Sequence, residues 1–238
     1  MAYIYEYIRT QGYKPMHFEE HYARLDESNY ALFSLRLDIS REELQSRIAE
    51  SLRSGGYSPN TINAVCVACD ESGTVEVECV EYLYNTFSLR ALRPHCFLSQ
   101  VSGEPIIRNT SAKMALLELY HAMAQAASSG VAIWANEIGE IFAIDGAPVI
   151  AIFDDEMCFS QSGQGVEFDL AYIAAKGMKR NVTKRAIMLD ELPKMKELLY
   201  IDYRGITAVV GWNERHYTDI TAERLAKQVA KSEASQIF

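Results

Sequence analysis

The chain has 238 residues, 49% of them apolar, which suffices for a large core and for one or two domains. Charged residues make up 23%, and the net charge of −9 with a pI near 5.1 argues against a nucleic-acid or anionic-membrane role, since both reward a basic face. No run of about 20 apolar residues is present to span a membrane, and the opening MAYIYEYIRTQGYK lacks the basic-then-apolar build of a signal peptide, so the expected compartment is the cytoplasm.

YIYEYIRT, a turn at Gly12 and KPMHF read as a strand pair. FEEHYARLDESNYALFSL follows as a helix, with Phe18, Tyr22, Leu25, Asn29, Leu32 and Phe33 at three-four spacing. A second helix begins at Ser40, whose partner Glu43 three residues on makes a capping-box signature, and stops at Gly55-Gly56. NAVCVAC and VEVECVEYLY alternate like an antiparallel hairpin around DESG, and ALRPHCFLSQ gives one more strand. Residues 100–110, polar and bearing glycine and proline, read as an interdomain linker between lobes at 1–99 and 111–238.

The second lobe opens with the helix SAKMALLELYHAMAQAA, expected to end at Ser128-Ser129-Gly130. VAIWANEIGEIFAIDGAPVIAIFDDEMCFSQ supplies three or four short strands, and GVEFDLAYIAAKG a short helix closed by Gly177. VTKRAIML reads as a strand, DELPKMKE as a brief helix, and LLYIDYRGITAVVGW as further strands. TDITAERLAKQVAKSE is the last helix, with Thr218 or Asp219 as its N-cap. Strands and helices mix without a βαβ rhythm, so the expected class is α+β with two lobes.

Several familiar chemistries lack their signatures. The five cysteines are odd in number, and CVAC lies on a strand where residues three apart face opposite ways; no second half-site completes a metal centre. No GxSxG elbow supports a serine hydrolase, and SGQG lacks the lysine of a phosphate-binding loop.

Three local patterns remain. HFEEHYARLDES holds His21 and Arg24. Lys113 stands alone at the head of a helix whose neighbouring face is Leu116, Leu117, Tyr120 and Ala124. A strand-turn-strand, helix, strand series then ends in DYRGITAVV. Taken singly, Lys113 is a snorkelling lysine, Arg24 a surface arginine paired with Glu20 or acids near Asp26, His21 a structural histidine and His121 a solvated one.

In this order the patterns resemble the class IV aminotransferase family, the fold-type-IV pyridoxal-phosphate enzymes, which include branched-chain and D-amino-acid aminotransferases and aminodeoxychorismate lyase. The resemblance runs over nearly the whole chain. It implies a two-lobed α+β fold of the D-amino-acid aminotransferase kind, a homodimer, and an amino acid or amino-substituted carboxylate as substrate. It implies that Lys113 forms a Schiff base with pyridoxal 5'-phosphate. It further implies that Arg24 pairs with the phosphate, that Tyr5 and Glu6 line the substrate pocket, and that Gly165 with the N–H groups of Val166 and Glu167 cradles the phosphate. These residue types suit that chemistry. A deprotonated lysine amine condenses with an aldehyde, while arginine and helix N-terminal N–H groups suit a phosphate dianion.

Four positions depart from the family's pattern. Ala143 stands where an acid meets the pyridine nitrogen, although Asp145, on the same side of a regular strand, is expected to substitute in part. Glu167 and Phe168 stand where a threonine and an arginine belong, and Asp202 where a threonine lies near the phosphate. Carboxylates there repel a phosphate at about 4 kcal/mol per unit pair at ~4 Å and an effective dielectric of ~20. Two functions follow as expectations: a transaminating or lyase enzyme working through Lys113, and a family member without cofactor that binds a ligand or a protein.

Overall fold

The computed structural model describes residues 1–80, 87–100, 108–126 and 130–234. The hairpin's continuation over 81–84, most of the expected linker and the expected stop at Ser128-Ser129 lie outside the described residues. Two compact units form, one from Met1–Thr86 with Arg108–Met114 and the other from Phe87–Ile107 with Ala115–Phe238.

The first unit is a four-stranded antiparallel sheet in the order β2-β1-β3-β4. β1 (Tyr3–Gln11) turns at Gly12 into β2 (Lys14–Pro15), and its main partner is β3 (Ile62–Asp70), which continues by a hairpin into β4 (Val75–Val80). Helices α1 (Phe18–Phe33) and α2 (Arg41–Ser54) lie between β2 and β3 in sequence. They bury Phe18, Tyr22, Leu25, Leu44, Ile48 and Leu52 with Ile4, Ile8, Val65 and Val67 of the sheet, so the apolar spacing of each helix is spent on one core. α2 starts where expected, because Ser40 Oγ accepts the Glu43 N–H at 3.1 Å. The expected stripe of α1 frays at its end: Leu32 is exposed and Phe33 half-buried. Residues 109–111 return to this unit and run beside β1. The Tyr5 N–H donates to the Asn109 carbonyl at 2.9 Å, and Ile4 bridges Thr110.

The second unit contains β5 (His95–Gln100), most of α3 (Ser111–Ala126), then β6 (Val131–Ala135), β7 (Glu140–Ile144), β8 (Val149–Ile152) and β9 (Glu156–Ser160). After α4 (Val166–Lys176) come β10 (Asn181–Arg185), β11 (Ile187–Met188), a 3-10 turn at Leu189–Lys194, β12 (Glu197–Asp202), β13 (Gly205–Ala208), β14 (Gly211–Trp212), β15 (Arg215–His216) and α5 (Ile220–Ala234). The expected strand VTKRAIML is thus two strands broken at Ala186, and they serve different sheets: β10 ends the order β10-β9-β8-β12-β13, and β11 ends β11-β7-β6-β5-β14-β15.

Alternation along the strands builds the layers. On β8, Ile150 and Ile152 face α4 and α5, while Val149 and Ala151 face the six-stranded sheet; β12 does the same with Leu199 and Ile201 against Leu198 and Tyr200. A strand buried on both faces has no polar side, which is why VIAI and LLYI read as unbroken apolar runs. The opposite face of the six-stranded sheet packs Trp134, Phe142 and Ala143 against Tyr120, Leu116 and Leu117 of α3.

α5 is capped from a distance. The expected N-cap candidates are adjacent residues, but Glu197 of β12, only 2% exposed, accepts the N–H groups of Thr221 at 2.7 Å and Ala222 at 2.9 Å. Asp219 pairs instead with Arg93 at 3.1 Å. The Glu197 carboxylate meets both orphan donors and the positive end of the helix dipole. We expect Glu197→Ala to destabilise the protein by about 3 kcal/mol and Glu197→Gln by less, measured by urea unfolding; a loss below about 0.5 kcal/mol for the alanine variant would refute this role.

Candidate functional site

In the first unit the polar residues of three segments meet at Glu6. Its neighbours on β1 alternate into the core, and Glu6 itself is 6% exposed. His21 Nδ1 lies 3.1 Å from Glu6 Oε1, Arg24 Nε donates to the same oxygen at 3.3 Å, and Asn109 Nδ2 donates to Oε2 at 3.3 Å. His21 and Arg24 are three apart on α1 and share one helix face, so a single acid receives both. Burial alone would raise the Glu6 pKa, but the His21 hydrogen bond and the Arg24 charge more than reverse it, and the carboxyl is held below its ordinary value.

This geometry gives Arg24 a partner other than the expected ones: Glu6, rather than Glu20 or the acids near Asp26. His21, expected to be structural, meets the same carboxylate. Lys113 is 6% exposed, and its Nζ donates to Asn109 Oδ1 at 3.0 Å. The Lys113 backbone N–H donates to Thr110 Oγ1 at 3.3 Å, so the head of α3 is fixed by the residues just before it. Tyr5 is 4% exposed, its ring 5.5 Å from that of Tyr7, and burial pushes its phenol pKa upward. Among the described residues no cluster of three or more His, Cys, Asp and Glu has a metal-binding arrangement. Cys66 and Cys69 sit on β3 as unpaired thiols, pushed by burial up to about 12 and about 11, and so are poor nucleophiles.

In the second unit, Gly165 precedes α4 as expected, at φ 151°, a conformation that side chains other than hydrogen rarely adopt. The side chains that follow are those of a core. Phe168 is 1% exposed, stacks edge-on to Phe159 with centroids 5.3 Å apart, and lies so close to Gly163 that a Cβ there would come within 2.4 Å of its ring. Glu167, 7% exposed, places a buried carboxylate in the first turn of the helix. A helix N-terminus favours negative charge, and Glu167 supplies it from within the chain. The turn therefore leads from a glycine with positive φ into a helix whose first turn holds a buried phenylalanine and a glutamate.

Ala143 lies on β7 in register with Trp134, 5% exposed, packed with Tyr120, Trp134 and Phe142. Asp145 does not continue the strand as expected: β7 stops at Ile144, and Asp145-Gly146 forms a turn with φ 53° and 70°, bridged by Ile144 and Ala147. A Cβ on Gly146 would meet Leu117 of α3 at 2.9 Å, so the turn is pressed onto that helix. Asp145 is engaged there, with Oδ1 2.6 Å from His121 Nε2 and Oδ2 3.7 Å from the Arg204 guanidinium. His121 is thus an ion-pair partner as well as a solvated residue. Asp202, expected to repel an anion, is matched by Arg204, whose backbone N–H and Nε reach its two oxygens at 2.7 and 2.9 Å. Its charge is compensated in place.

Asn109 and Arg204 do not stand out in the sequence. Asn109 lies four residues before Lys113, the spacing of a side-chain pair across one helical turn. Arg204 follows Asp202 by two in a tight DYRG turn. Both signals are local but common, and neither is diagnostic alone.

Comparison with solved structures defines the class: the chain has the fold of the fold-type-IV pyridoxal-phosphate enzymes, an α+β architecture. It aligns with a Thermotoga maritima protein assigned as a branched-chain amino acid aminotransferase at TM-score 0.79 and 16% identity, over 98% of this chain and 86% of that one. A Legionella pneumophila protein assigned as a 4-amino-4-deoxychorismate lyase gives TM-score 0.80 at 10% identity, over 97% and 91%. The branched-chain aminotransferase of Thermoproteus uzoniensis with norvaline gives 0.78 at 13%, over 98% and 86%. At these identities the likeness is one of fold. No family model matches the sequence, and no curated protein does. No helix among the described residues is long and apolar enough to cross a membrane.

Measured against the cofactor's needs, the residues fit in part only. A buried amine is present at Lys113, Ala143 is enclosed by aromatic side chains, and the turn before α4 is followed by Glu167 and Phe168.

Two titrations test the charge network. A depressed carboxyl stabilises the fold above its unfolded pKa of about 4.3 and loses that contribution as pH falls through the lower folded value. Glu6→Gln should therefore lose about 2 kcal/mol at pH 7, with the gap to wild type closing in acid; a constant gap would contradict it. The hydrogen bond from Asp145 raises the His121 pKa against the opposing effect of burial. That pair stabilises below about pH 6.5 and weakens as pH rises through the folded value. By NMR, His121 should titrate above the ordinary range and return toward it in Asp145→Asn.

Proposed function

We propose that this protein uses the fold-type-IV architecture as a binding scaffold for a small amino acid or amino-substituted carboxylate, without a working pyridoxal-phosphate site. The observation that carries the reading is Ala143. Electron withdrawal by the cofactor ring needs a partner that keeps the pyridine nitrogen positive. At that position the chain offers a methyl group enclosed by Tyr120, Trp134 and Phe142. Asp145, the nearest acid in sequence, is held by His121 and Arg204. Glu167, an acidic residue largely out of water, stands in the first turn of α4, beside the turn that would have to receive a phosphate dianion. The ligand class is taken from the resemblance and from the neighbours, one of which was solved with norvaline and another with 4-methylvaleric acid. The same resemblance supports a homodimer, and the five free cysteines suit a reducing compartment such as the cytoplasm.

One observation favours a second reading, a pyridoxal-phosphate aminotransferase or lyase. Lys113 is a buried amine at the head of α3, with Arg24 upstream on α1. An absorbance titration with pyridoxal phosphate to millimolar concentration, followed by borohydride and peptide mass spectrometry, separates the two. The scaffold reading expects no band near about 410–430 nm and no added mass on Lys113. A band that borohydride fixes onto wild type and not onto Lys113→Ala would overturn it in favour of the enzyme.

A further inference from the structure

Two imidazoles meet on the last strands of the six-stranded sheet in the second unit. His95 opens β5, Gly211 pairs with it from β14, and His216 pairs with Gly211 from β15, so the three stand in one row across the sheet. Residues of one row point to one face. Cys96 and Tyr217, which follow the two histidines in the chain, turn into the core between the sheets, so His95 and His216 stand on the other face, where both are exposed. β5 and β15 are two strand spacings, about 10 Å, apart, yet the ring centres are only 6.4 Å apart. The rings lean in over the glycine: a Cβ on Gly211 would lie 3.2 Å from His95 Nδ1 and Cε1. Among the described residues neither ring has a hydrogen bond or an ion pair, so neither accepting nitrogen is spent on a protein donor.

We propose that His95 and His216 together chelate a late first-row divalent cation, zinc or copper(II), at this edge of the sheet. A metal–imidazole bond of about 2.0–2.1 Å places the ion about 3.2 Å from the ring centre. Two rings on one ion then have centres roughly 5 Å apart at a tetrahedral angle and about 6.5 Å apart when opposed. The observed 6.4 Å lies in that interval. The ring planes stand at 71°, so aiming both lone pairs at one point takes a modest side-chain rotation, which exposed rings without other polar partners can make. Imidazole suits zinc and copper, whereas magnesium and calcium prefer oxygen donors. No third His, Cys, Asp or Glu completes the set among the described residues, so water fills the remaining positions and the ion stays open to an added ligand. The neighbouring cations are engaged elsewhere: Arg215 donates to the Met195 carbonyl, and Arg93 meets Asp219 and the Tyr217 carbonyl. This inference draws on neither Lys113 nor the ligand of the proposed function.

The test is a titration of the chelator-treated full chain with zinc chloride near pH 7.5, where an ordinary histidine is neutral, read by NMR at the imidazole nitrogens. The ring signals of His95 and His216 should shift together, with one midpoint, and saturate at one zinc per chain. His121, exposed but held by Asp145, is the reference for unspecific binding and should respond only at higher zinc. Losing one of two ligands should raise the midpoint about tenfold or more in His95→Ala and in His216→Ala, and the histidine that remains should then respond no better than His121. Both side chains are exposed, so the two variants should unfold at the wild-type temperature without metal, and zinc should raise that temperature in wild type alone. Separate midpoints for the two rings, a midpoint shared with His121, or a single variant that binds as wild type does would overturn the proposal. Equal shifts with magnesium chloride would overturn it as well, because they would report charge rather than imidazole ligation.

Discussion

A carboxylate taken almost wholly out of water sets the terms for the first unit. Moving such an ion from solvent costs several kcal/mol even after the protein relaxes around it. Glu6 has this problem on the middle of β1, and the answers come from α1 and from residues more than a hundred positions later. His21 and Arg24 reach it only if α1 presents one particular face to the sheet. Asn109 reaches it only if residues 109–111 run along β1. His21 and Arg24 thus tie α1 to the sheet through a buried carboxylate, beside the apolar packing of the same two elements.

The second unit shows an architecture built by its apolar positions. Its layers follow from strict alternation on β8 and β12, and alternation says nothing of which polar side chain stands at a strand end. Ala143, Glu167, Phe168 and Asp202 lie within that framework, and the Asp202 charge is met by Arg204 within the same turn. A fold shared with aminotransferases does not by itself fix the chemistry, and function is decided at the level of the side chains.

What was legible in the sequence was what is decided locally. α2 begins at Ser40 because its own hydroxyl caps it, and the α4 turn lies at Gly165 because few other residues adopt that backbone. The two-sided burial of VIAI and LLYI follows from composition alone. The less legible features depend on partners far apart along the chain. α5 is capped by Glu197, 24 residues before Thr221, while two plausible local caps stood adjacent. Glu6 and Asn109 are 103 residues apart, so neither announces the other. Asp145 departs from expectation for a different reason: the strand-like periodicity runs on one residue past the end of β7, into a turn whose Asp-Gly pair takes positive φ.

The return of residues 108–114 to the first unit also orders events during synthesis. A ribosome adds roughly 5–20 residues per second, so Glu6 emerges roughly 5–20 s before the asparagine that completes its hydrogen bonds. During that interval β1, α1 and α2 can collapse with His21 and Arg24 beside the acid, yet one carboxylate oxygen still awaits its donor. The nascent unit must keep that edge of β1 open while the first strand of the second unit is being made. The amino-terminal third of this polypeptide is thus folded early but finished late, and the segment that closes it is the one bearing Lys113.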